Sequence, residues 1–192
     1  MIQHLRTRSH NGPAWLIAGL YVALALPVVW AGPRTWAVIL PTVILGATLV
    51  VLSVIDLATM RLPDALTLPL IATGLVCAAL FKWDGDSWLD LRWRVAAAAL
   101  GYGLLFGVAW LYHRIRGRHG LGLGDAKLLA ASGAWLGLEG VAPTLLVASL
   151  TALAAALVGH IAGRSITADT RIPFGPFLAG GTWLIWLYGG VT

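Results

Sequence analysis

Long apolar runs with almost no charge inside them constrain this chain more than any other feature. A bilayer crossing needs about 20 largely apolar residues at a helical rise of about 1.5 Å each. Seven stretches meet or approach that length: 14–30, 36–55, 65–81, 95–112, 126–138, 141–162 and 174–188. The fifth is short for a full crossing, so it is expected to tilt, to start further back or to lie among its neighbours. Between the runs fall Gly32-Pro33, Leu62-Pro63-Asp64, Asp84-Gly85, the glycine-rich stretch 117–124, Glu139-Gly140 and Ile172-Pro173, all turn formers. The expected fold is an all-α, polytopic transmembrane helix bundle of about seven spans. Residues 1–13 form an N-terminal segment and residues 14–192 a single transmembrane domain.

Composition excludes the main alternatives. Charged residues make up 11% of the chain and hydrophobic residues 59%, which leaves too little polar surface for a water-soluble globule. The lone cysteine, Cys77, excludes a disulfide scaffold and reads as a small buried hydrophobe. A net charge of +5 would suggest nucleic acid in a soluble protein. Here the cations sit between apolar runs, so the bilayer and its anionic leaflet are the expected partner, and nucleic acid is not.

The same cations set the orientation. With the N-terminus cytoplasmic, Arg6, Arg8, Arg61, Arg114, Arg116, Arg118, Lys127, Arg164 and Arg171 fall inside. Only Arg34, Lys82, Arg92 and Arg94 fall outside. The basic start also fits a cleaved signal peptide, but no clear small-residue cleavage site follows Trp30. The outer loop 82–94 carries Trp83, Trp88 and Trp93, read as an interfacial aromatic belt.

Acids at a span end are expensive and therefore candidates for function. Asp84, Asp86, Asp90 and Glu139 fall outside, and Asp56, Asp64, Asp125 and Asp169 inside. Asp56 ends a long apolar run, where the plain alternative is a solvated terminal acid. Asp125 closes Gly120-Leu121-Gly122-Leu123-Gly124-Asp125 and opens a helix, at an expected N-cap position. Alternate glycines there permit left-handed or extended turns and a close backbone approach. Capping and catalysis stand as equal readings of Asp125. Two carboxylates held a few ångströms apart share a proton, so one can take a proton from water while the other polarises a carbonyl. His4, His10, His113 and His119 show no metal spacing, and neither metal nor cofactor is expected. His160 reads as a packing histidine, and Gly103-x-x-x-Gly107 and Gly133-x-x-x-Gly137 as helix-packing glycines.

Ile55-Asp56, Arg61-Leu62-Pro63-Asp64-Ala65-Leu66-Thr67 and Gly122-Leu123-Gly124-Asp125-Ala126-Lys127-Leu128 resemble the two aspartate motifs of prepilin peptidases. These are the GxGD-type membrane aspartic proteases also called type IV leader peptidases. Arg171-Ile172-Pro173-Phe174-Gly175-Pro176-Phe177-Leu178-Ala179 is similar to the family's element before its last span. The resemblance covers roughly 36–190. It implies a multi-pass endopeptidase of the bacterial inner membrane, with its active site facing the cytoplasm. Its substrates would be type IV prepilins or type II secretion pseudopilins, and no oligomeric state follows from it. By motif position Asp56 and Asp125 would be the catalytic pair. Gly122, Gly124, Lys127, Asp64, Pro63, Pro173 and Gly175 would bind substrate or support the pair. Asp64, just after Pro63, is expected to cap its helix, and Lys127 to tune the pair, orient a substrate carboxylate or snorkel.

One departure stands out. Full-length members carry a cytoplasmic four-cysteine metal domain between their first two spans and also N-methylate the new terminus. Here Gly32-Pro33-Arg34-Thr35 separates those spans and one cysteine exists, so that zinc site is not expected and methyltransferase activity is doubtful. A peptidase-only form is the expectation. Two other classes compete: a small transporter or proton and cation relay using the same acids, and a non-catalytic assembly scaffold. Acids gathered at one surface argue against the first, and the presence of both motif aspartates against the second.

Overall fold

The computed structural model describes residues 12–31, 36–81, 87–117, 122–163 and 172–189. These form six helices: α1 (Gly12–Ala31), α2 (Trp36–Thr59), α3 (Asp64–Phe81), α4 (Ser87–Arg116), α5 (Leu123–Ile161) and α6 (Gly175–Tyr188). Four carry stretches long and apolar enough to cross a bilayer: Ala37–Thr59, Asp64–Phe81, Leu91–Arg116 and Leu123–Ile161. A shorter apolar stretch, Ala14–Pro27, lies in α1. The protein is an all-helical, multi-pass membrane protein. Residues 1–11, 32–35, 82–86, 118–121 and 164–171, to which the sequence assigned places, lie outside the described residues.

The expected tally of about seven segments meets six helices because the fifth and sixth runs share α5. That helix is bent. Gly137 has φ 72° and ψ −172°, a conformation open to glycine alone, and it interrupts the helical backbone. Ser132 Oγ lies 2.6 Å from Thr182 Oγ1 on α6. A Cβ on the adjacent Gly181 would lie 2.7 Å from the Thr144 carbonyl oxygen. On a straight helix Ser132 and Thr144 would stand about 18 Å apart. Adjacent residues of α6 touch both, so α5 folds back at Gly137 into two arms. The sequence placed this turn at Glu139-Gly140, two to three residues late.

The first arm of α5 is the centre of the bundle. Ala126 and every residue from Leu128 to Leu136 are buried, among α3, α4 and α6. This explains the short fifth run: a helix enclosed by protein need not match the bilayer. Its backbone meets α4 closely, since a Cβ on Gly101 would lie 2.6 Å from the Leu129 carbonyl and one on Gly133 would strike the Ala97 carbonyl. The expected pair Gly103 and Gly107 packs on nothing within 4 Å, because both face outward on α4. Of the four glycines read as packing positions, only Gly133 makes a close helix contact, and Gly137 is the bend.

Arg94 is a second correction. The sequence put it in an outer loop, but α4 already starts at Ser87. Arg94 is 3% exposed, and its guanidinium donates to the Trp135 carbonyl, near the end of the first arm of α5. A cation there bonds a carbonyl beside the bend and complements the negative end of the first arm. Arg94→Met should therefore lower unfolding stability in detergent by about 1–3 kcal/mol, the range for stranding a buried acceptor.

Tryptophans also serve inside the bundle. Trp135 Nε1 donates to the Leu70 carbonyl at 2.8 Å, and its ring meets Trp186 edge-on at 5.6 Å. Trp186 Nε1 donates to Thr42 Oγ1 at 3.0 Å, and Trp183 Nε1 to the Tyr21 carbonyl at 3.1 Å. Of the expected outer belt, Trp93 is exposed on α4. Cys77 is buried, as expected. His160, expected to pack, is exposed near the end of α5.

Candidate active site

Leu45, Leu49 and Leu52 are fully buried along one stripe of α2, and Asp56 is the next position on that stripe, 5% exposed. The stripe that seats α2 in the bundle thus carries a carboxylate inward. Asp56 is not a solvated acid at a span end. Its Oδ2 accepts the backbone N–H of Gly175 at 3.0 Å. Gly175 is the first residue of α6, whose first turn holds a proline. First-turn N–H groups have no partner within their own helix, and the positive helix end favours an anion. A larger residue there forces a shift: a Cβ on Gly175 would lie 2.6 Å from Asp56 Oδ2 and 2.9 Å from its Cγ.

α2 stops three residues after Asp56. Met60 takes a left-handed φ of 52°, and its N–H donates to the Asp56 carbonyl at 2.8 Å. This is a helix stop usually made by glycine, and a side chain there costs about 1–2 kcal/mol. The turn delivers Arg61 and Leu62 towards the start of α5.

Asp125 is not the N-cap that the sequence suggested. Gly122 is the N-cap, with φ −76° and ψ 138°, and Asp125 is the third residue of α5. Its N–H donates to the Gly122 carbonyl at 3.1 Å, and its carboxylate accepts the Gly122 N–H. The Asp125 side chain thus supplies one half of a capping box, and Gly122 has no side chain to supply the other. Gly122 takes the extended conformation, and a Cβ there would come nearest to Asp125 Oδ2, at 3.5 Å. Gly124 matters for close approach, since its Cβ would stand 2.8 Å from Leu62 Cβ.

Asp56 and Asp125 line one cleft of about 270 Å³, together with Met60, Arg61, Leu62, Gly122, Leu123 and Gly124. The carboxylates lie within electrostatic reach of each other. Among the described residues no serine, cysteine or histidine lines the cleft, and a carboxyl pair of this kind is able to do acid–base work on a water. Met60 was not singled out in the sequence, and Arg61, Leu62 and Leu123 stood there only as members of the motifs, with no role at the site. Their only local signal was position, directly before Pro63 and between the two motif glycines.

Asp64, Lys127, Pro63 and Pro173 stand outside the cleft lining. Asp64 is the first residue of α3 rather than its cap, and the Leu66 and Thr67 N–H groups both donate to the Pro63 carbonyl at 3.1 Å. Lys127 Nζ donates to Asp64 Oδ1 at 2.5 Å, so Lys127 is engaged by protein rather than snorkelling to lipid.

The profile of the type IV leader peptidase family matches residues 43–157. A prepilin leader peptidase/N-methyltransferase of Burkholderia pseudomallei is 44% identical over 137 residues, covering 71% of this chain and 42% of that protein. The protein of that name in Aeromonas hydrophila is 41% identical over 174 residues, covering 91% and 56%. That of Escherichia coli is 44% identical over 131 residues, covering 68% and 55%. The chain spans about half the length of the curated relatives it matches. No solved structure matches it.

Proposed function

The chain belongs to the type IV leader peptidase family, and from that premise we propose that it is an aspartic endopeptidase cleaving the leaders of type IV prepilins or type II secretion pseudopilins. The observation that carries the proposal is the single cleft lined by both Asp56 and Asp125. The relatives' printed names support the substrate class. Their second activity, N-methylation, is not part of the proposal.

In the proposed reaction a water sits between the two carboxyl groups, which hold one proton between them. The ionised group takes a proton from the water as its oxygen attacks the scissile carbonyl carbon. The protonated group donates a hydrogen bond to the carbonyl oxygen, where negative charge develops. The tetrahedral intermediate then collapses, the C–N bond breaks and the departing amine takes up a proton. The Gly175 N–H holds Oδ2 of Asp56, leaving Oδ1 free for water. The Gly122 N–H restrains the Asp125 carboxylate in the same way.

We place the cleft at the cytoplasmic surface of the inner membrane. His113, Arg114 and Arg116 end α4, and α5, with Asp125 in its first turn, follows a short connection later. Cations concentrated at that end accord with the positive-inside rule. A substrate would then bring a basic leader from the cytoplasm and lay its apolar helix alongside the bundle.

The test is turnover in proteoliposomes of a peptide with a basic leader, a glycine at the junction and an apolar helix. Cleavage at the junction is expected, with a bell-shaped pH profile. The acid limb marks protonation of both carboxyls, and the alkaline limb loss of the shared proton. An intact peptide, or a rate rising steadily with pH, would refute the dyad reading.

A further inference from the structure

We propose that Lys127 and Asp64 are positioning residues, whose ion pair holds the start of α5 against the start of α3 and so sets the separation of Asp125 from Asp56. The proposal deepens the peptidase reading and rests on it. The two residues are 63 positions apart, and Lys127 Nζ meets Asp64 Oδ1 at 2.5 Å. Each lies a short covalent step from a motif acid. Lys127 follows Asp125 by half a helical turn, and Asp64 follows the left-handed stop that ends α2 just after Asp56.

The pair therefore closes a ring. From Asp56 the chain runs through Met60 and Leu62 to Asp64, crosses to Lys127 and returns through Asp125 to Gly124. Gly124 sits so close to Leu62 that a Cβ would stand 2.8 Å from Leu62 Cβ. That contact supplies the near side of the ring and the ion pair the far side. Together they leave the α5 start little freedom to rock about Leu62.

The surroundings indicate placement rather than chemistry or bulk stability. Neither residue lines the cleft, so neither reaches the reacting atoms. The side chains are 24% and 59% exposed, and an ion pair so open to water adds little to folding stability. Catalytic rate is far more sensitive to position, since a displacement of about 1 Å can cost about a hundredfold. Lys127 is also poorly free to bind a substrate carboxylate while Asp64 holds its ammonium.

The experiment compares the full chain with Lys127→Ala, Asp64→Ala and the exchanged double variant Asp64→Lys/Lys127→Asp, in proteoliposomes with the leader peptide. Each single variant should lose about tenfold in kcat with KM within about twofold, and the exchange should recover much of the loss. Added salt should slow the parent and leave the single variants unaffected. Hydrogen exchange over residues 60–66 and 122–127 reads the clamp without turnover: protection should fall in the single variants and return in the exchanged one. Unchanged protection across residues 91–116 shows that the variants are folded. Full kcat in the single variants, or a raised KM at constant kcat, overturns the proposal, the latter by assigning Lys127 to substrate. No rescue by the exchange overturns it as well. Should the parent cleave nothing, the peptidase reading fails separately, and the exchange data alone decide whether the clamp exists.

Discussion

Asp125→Asn is expected to fold and insert like the parent chain while losing about 10²–10⁴-fold in kcat, the range for removing a general acid–base group. Asp56→Asn should behave the same way. Asparagine keeps the shape of the side chain, and its amide oxygen can still accept the Gly122 N–H at position 125 or the Gly175 N–H at position 56. An ionisable group inside a membrane bundle is costly, so a neutral replacement should hold thermal stability within about 1 kcal/mol or raise it. Activity lost with stability kept separates chemistry from architecture. The double variant should be little worse than either single one, because two groups that share a proton fail together. Cleavage at parent rate by Asp125→Asn would remove that residue from the mechanism. Loss of both cleavage and folding would make its ionisable carboxyl a structural requirement rather than a chemical one.

How much of this was legible in the sequence depended on the range of the interaction involved. Apolar runs and turn formers are local, and they located the helices to within a few residues, apart from α4, whose start lies eight residues earlier than the run. The bend in α5 was local too, yet Gly137 and Gly140 look alike in sequence. Only the left-handed backbone at Gly137 distinguishes them. Arg94 was illegible because its acceptor, the Trp135 carbonyl, lies 41 residues away. A charge count can only assign such a residue to a loop. The depth of Asp56 was half legible. Leu45, Leu49 and Leu52 share its stripe, but α2 is apolar on all sides, and pattern alone could not say which stripe faces the protein. Asp125 was misplaced by three positions because an acid ahead of an apolar run ordinarily signals an N-cap, whereas Gly122 takes that place and the acid reaches back to it.

The third motif yields the sharpest contrast among the glycines. Gly175→Ala should lower kcat by about a hundredfold or more, whereas Gly122→Ala should keep most of the parent rate. Motif membership alone ranks the two glycines equally, but their surroundings differ. A Cβ at position 175 would stand 2.6, 2.9 and 3.3 Å from Oδ2, Cγ and Cβ of Asp56, and one at 122 would meet nothing nearer than 3.5 Å. Asp56 cannot easily swing aside, because the buried stripe of α2 holds it in the bundle. The strain must therefore turn its carboxylate away from the Gly175 N–H or push α6 outward. Either response moves a reacting group by a large fraction of an ångström and frees an oxygen that the N–H had fixed. Overpacking of this kind costs about 1–3 kcal/mol of stability, so thermal unfolding should show a moderate loss well short of collapse. The informative readout is kcat for both variants beside their unfolding midpoints. If Gly175→Ala turns over normally and Gly122→Ala does not, the start of α6 is not what orients Asp56, and the acid must take its aim from the cleft side instead.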